Sequence, residues 1–157
     1  MELTGQNETA GARFALVVSR FNDFVTDRLR KGAVEGLTAA GASADDIDTL
    51  YVPGAYEIPQ AARAAARTGR YAAVVCLGCL IRGETPHFDY ISSAVSHGIM
   101  QASGETGVPM SFGVLTSNSA EQALERAQPG PANKGWEAAA AAVEMASLVR
   151  AVAAPAP

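Results

Sequence analysis

Apolar residues recur along this chain in two rhythms that alternate. Phe14 to Val18 is a short unbroken apolar run, after which Val25, Leu29, Ala33, Leu37 and Ala40 return every third or fourth residue until Gly41. The first rhythm suits a strand buried on both faces, the second one face of a helix stopped by glycine. The pair then repeats. Ile47 to Val52 ends in Pro53-Gly54 and gives way to Ile58, Ala61, Ala62 and Ala65, closed by Gly69. Ala72 to Leu77 gives way to Phe88, Ile91, Val95, Ile99 and Ala102. Met110 to Leu115 makes a fourth strand, Ala120, Ala123, Leu124 and Ala127 a short helix, and Trp136, Ala140, Val143 and Val149 a long last one, with the breaker Pro129-Gly130-Pro131 between the two helices.

Strands that alternate with helices predict a parallel sheet joined by right-handed crossovers. The expected fold class is therefore α/β, a three-layer αβα sandwich of flavodoxin-like type with a four-stranded parallel sheet. At 157 residues the chain suits a single domain, 1–157, with a polar arm over 1–13 and a frayed tail over 153–157. The run Ala138 to Ala142 is strongly helical, and its small side chains permit close packing against the sheet or another subunit.

Composition narrows the function. Apolar residues make up 48% and charged residues 18%, a globular balance, and no apolar run approaches the roughly 18 residues of a membrane span. The opening stretch lacks the basic start and apolar centre of a secretory signal, so the expected location is cytoplasmic. A net charge of −4, with no cationic cluster beyond Arg28, Arg30 and Lys31, gives nucleic acid little to bind. Cys76 and Cys79 have CxxC spacing, but three extended residues span about 10 Å and a disulfide needs Cα atoms within about 7 Å. They read as two packed core thiols.

Ligands of open parallel sheets bind beyond the carboxyl ends of the strands. The unusual residues fall there: Ser19-Arg20-Phe21-Asn22, Pro53-Gly54-Ala55-Tyr56-Glu57, Ile81-Arg82-Gly83-Glu84-Thr85-Pro86-His87 and Thr116-Ser117-Asn118. Thr85 is a good N-cap and Pro86 a favoured first helical residue, which would leave backbone N–H groups free around Glu84 and Thr85 for an anion such as phosphate, with Arg82 at hand. An ordinary capped helix gives the same pattern. His87, at the mouth of the cleft, can give or take a proton near neutral pH, although its position alone fits an idle surface histidine equally well. His97 lies about 15 Å further along that helix, too far to share a metal with His87. Phe21 and Tyr56 offer rings for a planar heterocycle, and Arg126 and Lys134 are cations near the last two helices. No GxxxxGK loop, GxSxG elbow or HExxH helix occurs.

Taken in order, Arg20-Phe21-Asn22, Pro53-Gly54-Ala55-Tyr56-Glu57-Ile58-Pro59, Ile81-Arg82-Gly83-Glu84-Thr85-Pro86-His87-Phe88-Asp89-Tyr90, Phe112-Gly113-Val114-Leu115-Thr116, Glu121-Gln122-Ala123-Leu124-Glu125-Arg126-Ala127 and Asn133-Lys134-Gly135-Trp136-Glu137 resemble the lumazine synthase family in order and spacing. The resemblance runs from about Phe14 to Val149. It implies a transferase of riboflavin biosynthesis that condenses 5-amino-6-ribitylamino-2,4(1H,3H)-pyrimidinedione with 3,4-dihydroxy-2-butanone 4-phosphate, with no cofactor and no metal.

The same resemblance assigns roles. Phe21 matches the aromatic on which the ring stacks, Ala55, Tyr56 and Glu57 the residues that hold the ribityl chain, and Cys79, Leu80 and Ile81 the backbone along the pyrimidine. Glu84 and Thr85 match the phosphate-binding helix start and His87 the proton-transfer residue. Phe112, Arg126 and Lys134 match residues that a neighbouring subunit contributes, Arg126 gripping the phosphate. A homopentamer with sites at its subunit interfaces is implied, often packed into an icosahedral shell, and riboflavin synthase is a candidate partner. Two departures stand out: Gln128-Pro129-Gly130-Pro131-Ala132 replaces a loop that commonly reads Gly-Thr-Lys-x-Gly, and Glu84 replaces what is often a small or neutral residue. A flavin-binding module without turnover, an archaeal-type riboflavin synthase and a non-catalytic shell protein are the competing readings.

Overall fold

In the computed structural model, which describes residues 1–156, strands and helices follow one another as β1 (Phe14–Ser19), α1 (Asp23–Ala39), β2 (Ile47–Val52), α2 (Ile58–Arg67), β3 (Ala73–Ile81), α3 (His87–Thr106), β4 (Met110–Ser117), α4 (Ala120–Arg126) and α5 (Lys134–Ala153). The sheet is parallel throughout, in the order β2-β1-β3-β4. From β1 the chain builds outward to β2, then returns to lay β3 on the other side. The crevice opens at this reversal, between β1 and β3, at the carboxyl ends of the strands.

The pleat sorts the strand residues onto two cores. Phe14, Leu16, Val18, Val75, Leu77 and Cys79 face α1 and α5, whereas Ala15, Val17, Val74 and Cys76 face α2 and α3. Period-two alternation thus puts Cys76 and Cys79, three residues apart, on opposite faces of the sheet. Both are free and buried. Burial pushes the Cys76 thiol up to about 12 and the Cys79 thiol up to about 11, so neither is a nucleophile at neutral pH.

The third strand is longer than its apolar run suggested, continuing through Gly78 to Ile81. Gly78 marks close packing here, because a Cβ would lie 3.1 Å from Ile58 Cδ1 and 3.4 Å from Val114 Cγ1. The extra residues carry β3 to the edge of the crevice. The alanine run packs inward, Ala138, Ala139 and Ala142 joining the core beneath α1. Two features let α5 come so close. Trp136 lies against Gly36, where a Cβ would be 3.2 Å from the indole, and Asn133 caps the helix, its Oδ1 accepting from Gly135 N (2.7 Å) and Trp136 N (3.3 Å).

The arm is not loose. Gln6 N donates to Ser147 Oγ at 3.0 Å and Thr9 N to Ala40 O at 3.0 Å. Of the tail, Ala153 still belongs to α5, 154–156 follow it, and Pro157 lies outside the described residues. No helix among the described residues is long and apolar enough to cross a membrane.

At the opposite end of the sheet from the crevice, Asp48 Oδ2 accepts from Tyr71 Oη (2.7 Å) and from the Arg13 guanidinium (2.8 Å), which together hold its carboxyl below the usual carboxylate range. A lowered folded value stabilises the fold above the unfolded carboxylate value of about 3.9, and that contribution disappears as the group is protonated in acid. Asp48→Asn should therefore melt lower than the parent near neutral pH, with the gap narrowing below about pH 4. A gap that stays constant down the acid limb of a melting-temperature profile would remove the charge from this account.

Candidate functional site

The first wall of the crevice is the loop after β1, fixed by its own backbone. Arg20 N donates to Val52 O (2.8 Å) and Phe21 N to Pro53 O (3.1 Å), extending the β1–β2 pairing past the strand ends. Ser19 Oγ closes the turn on Phe21 O at 3.0 Å. Asn22 then takes a left-handed conformation (φ 62°), which asparagine tolerates better than most residues, and its Nδ2 reaches across to Cys79 O at 2.9 Å. The Phe21 ring is thereby held out into solvent, 68% exposed, on a backbone tied to β2 and β3.

The second wall follows β2, where Ala55–Glu57 form a 3-10 turn with Ala55 packed into the core, leaving Tyr56 63% exposed on the rim. β3 forms the floor through Leu80 and Ile81, the loop after it supplies Thr85, and the start of α3 supplies His87, Phe88 and Ile91. These walls enclose about 640 Å³, a volume suited to a substrate with a fused or substituted heterocycle. Phe21, Ala55, Tyr56, Glu57, Leu80, Ile81, Thr85 and His87 all line this one cleft.

The helix start is displaced by one residue from its expected place. Pro86 occupies the cap position, with its carbonyl accepting from Asp89 N (3.1 Å) and Tyr90 N (3.3 Å), and His87 is the first residue of α3. Thr85 makes no capping hydrogen bond. The reason is that Pro86, at φ −70° and ψ 3°, has already turned toward the helix, which puts Thr85 one step too early to reach the first-turn amides. Among the described residues, no backbone carbonyl pairs with the N–H groups of Gly83, Glu84 and Thr85. These N–H groups are left without a backbone partner, and no threonine cap accompanies them.

Several expected residues lie elsewhere. Cys79 does not line the cleft: its thiol is packed under α1 and its carbonyl serves Asn22. Glu84 and Arg82 are also outside the lining. Phe112, Arg126 and Lys134 meet in a separate groove of about 560 Å³ along the flank formed by β4 and α5, together with Ala138, Ala141 and Met145. There Arg126 folds back onto Gln122 O (2.9 Å) and Lys134 pairs with Glu137 (2.8 Å). Phe112 and Met145 are each more than a third exposed on this flank. Within one chain the two groups of residues do not meet.

Sequence reasoning left Asn22, Gly83 and Phe88 without roles, although each borders the cleft. The signal for Asn22 was available: an asparagine between a strand and a helix is a favoured left-handed position. Among the described residues no three His, Cys, Asp or Glu side chains gather as metal ligands.

Comparison with known proteins assigns the chain to a family. A protein of Syntrophus aciditrophicus (strain SB), described as a 6,7-dimethyl-8-ribityllumazine synthase, is 53% identical over 140 residues, which cover 89% of this chain and 91% of the relative. The family model for 6,7-dimethyl-8-ribityllumazine synthase matches residues 11–150, a span that takes in all four strands, α1 to α4, most of α5 and both groups of candidate site residues, and the chain belongs to the 6,7-dimethyl-8-ribityllumazine synthase family.

Proposed function

We propose that the cleft between β1 and β3 is where this enzyme brings its two substrates together, and that His87 moves the protons of the reaction. The activity itself is that of the family: a transferase of riboflavin biosynthesis that makes 6,7-dimethyl-8-ribityllumazine. One substrate is the ribitylamino-pyrimidinedione, the other 3,4-dihydroxy-2-butanone 4-phosphate, and phosphate and water leave.

The observation that carries the assignment is that Phe21, more than sixty positions before Thr85 and His87, borders one cleft with them. Phe21 stacks on the pyrimidinedione, and Ala55, Tyr56 and Glu57 hold the ribityl chain. Leu80 and Ile81 present backbone to the ring edge, with Cys79 anchoring Asn22 from behind. The free amides of Glu84 and Thr85 take the phosphate, so that Glu84 serves through its backbone while its side chain stays in solvent. Condensation of the amine with the ketone expels one water, phosphate is then eliminated to leave an enol that becomes a second ketone, and attack of the ribitylamino nitrogen on that ketone closes the ring and expels a second water. Each step needs a proton delivered or removed beside reactants held in register, so proximity together with one well-placed imidazole supplies the catalysis.

Phe112, Arg126 and Lys134 complete the site from a neighbouring subunit, Arg126 on the phosphate, in a homopentamer. Support comes from their position on a partly apolar flank that this chain leaves uncovered. Mixing the protein with both substrates and following the fluorescent lumazine tests the activity; saturable binding without product, or conversion of lumazine alone to riboflavin, would replace it with one of the competing readings. The sharing of the site has its own test. His87→Ala and Arg126→Ala chains, each nearly inactive alone, should regain about a quarter of parental turnover when refolded together at equal ratio, because that fraction of head-to-tail sites combines an intact His87 with an intact Arg126. No recovery would place Arg126 in the same chain's site or outside it.

A further inference from the structure

Arg82 follows β3 directly, and by sequence it is a cation available to the phosphate. Its side chain is engaged elsewhere. Arg82 Nε donates to Asn118 Oδ1 at 3.2 Å, NH1 pairs with Asp89 Oδ1 at 3.3 Å, and the guanidinium lies over the Phe88 ring with Cζ 4.5 Å from its centroid. Its backbone N–H closes the last rung to Ser117 O at 2.8 Å. Asn118 is itself fixed, its N–H donating to Gln122 Oε1 at 2.9 Å at the start of α4. One planar fork therefore joins the loop after β4 to the two residues that follow His87.

We propose that Arg82 is a positioning residue for the condensation, which ties Phe88 and Asp89 to Asn118 and so fixes where His87 stands over the cleft. The inference rests on the reading of His87 as the proton-transfer group. No single contact suffices, since Arg82 and Asp89 are both about half exposed and such pairs are weak. Three contacts from one rigid guanidinium fix an orientation that a flexible ammonium cannot. The need is specific to this site: Pro86 caps α3 without a side-chain hydrogen bond, so the first turn has no local anchor of the usual kind.

The test is steady-state turnover with both substrates for the parent, Arg82→Ala, Arg82→Lys, Asn118→Ala, His87→Ala and the Arg82→Ala/His87→Ala double variant, with melting temperatures for each. Arg82→Ala should lower kcat by about tenfold, the scale of a small misplacement of a catalytic group. KM for the phosphorylated ketone and inhibition by inorganic phosphate should stay within about twofold, because Arg82 does not hold the phosphate. Arg82→Lys and Asn118→Ala should give smaller losses of the same kind, and they carry the test if the alanine variant melts much lower than the parent. In the His87→Ala background Arg82→Ala should have no further effect on kcat. An equal loss in both backgrounds, or a raised phosphate KM with kcat preserved, overturns the positioning role while leaving His87 in place. Parental turnover in His87→Ala alone would instead remove the reading of His87, and the inference with it.

Discussion

His87→Ala is expected to lower turnover by about 10² to 10⁴ while leaving the protein folded and able to bind the pyrimidinedione. The separation of effects follows from where the residue sits. His87 is the exposed first residue of a twenty-residue helix whose hold on the sheet comes from Val95, Ile99 and Ala102, two to four turns further on. Truncating it removes no core contact, so the melting temperature should not change. The proposed stacking on Phe21 and contacts with the backbone of Leu80 and Ile81 are untouched, so binding should persist. What is lost is the only imidazole lining the described cleft, and with it the proposed proton-transfer group. Turnover followed by lumazine fluorescence, beside a binding titration of the pyrimidinedione, decides the matter: parental kcat in the variant would assign the protons to another group or to solvent.

Gly135→Ala should destabilise the fold by about 3 kcal/mol or more, equivalent to a fall of roughly 6 to 12 °C in melting temperature for a chain of this size. Helix propensity alone predicts the opposite sign, a gain of up to about 1 kcal/mol. Packing outweighs it. A Cβ at Gly135 would overlap the carbonyl oxygen of Leu29 and lie 2.7 Å from its carbonyl carbon, and it would also crowd Asn133 Oδ1 at 2.9 Å. Neither obstacle is the free end of a flexible side chain: one is the backbone of α1, the other the buried group that caps α5. Relief requires the start of α5 to move, taking Lys134 with it. Gly104→Ala is the control, because a Cβ there meets nothing within 4 Å and should be neutral or mildly stabilising. Thermal unfolding of the two variants side by side checks the pair, and equal melting temperatures would show that α1 and α5 yield more easily than their packing implies.

Much of the architecture was legible because it depends on neighbours in sequence. The unbroken apolar runs at Phe14 to Val18 and Ala72 to Leu77 became inner strands, whereas the alternating Ile47 to Val52 became the edge strand β2. The cysteine pair was legible for the same reason, since extension and pleat are local properties. The cleft was legible as a set of loops, because parallel strands place every strand-to-helix connection at one end of the sheet.

Other features were not, each for a definite reason. The apolar run that marks β3 stops at Leu77, yet the strand continues because Ile58 and Val114 make glycine the residue that fits at position 78. Thr85 and Pro86 had the right identities for a cap and a first turn, and a shift of one residue made Pro86 the cap and left Thr85 ahead of it. The direction of Arg82 depended on Asn118, thirty-six positions away, and on the ring of Phe88 in the first turn of α3.

By itself, the amino-acid sequence determined the strands and helices, the buried faces, the loops that bear the chemistry and, through motifs in fixed order, the family. All of these follow from side-chain identity at short separation, where steric preference and hydrophobic periodicity act directly. Only the tertiary structure decided which loop residues share a cleft, which cation is already engaged, and that Phe112, Arg126 and Lys134 lie on another flank of the same chain. Those outcomes depend on distances between residues remote in sequence, and such distances come into being only once the strands have taken their order and the helices have closed over the sheet.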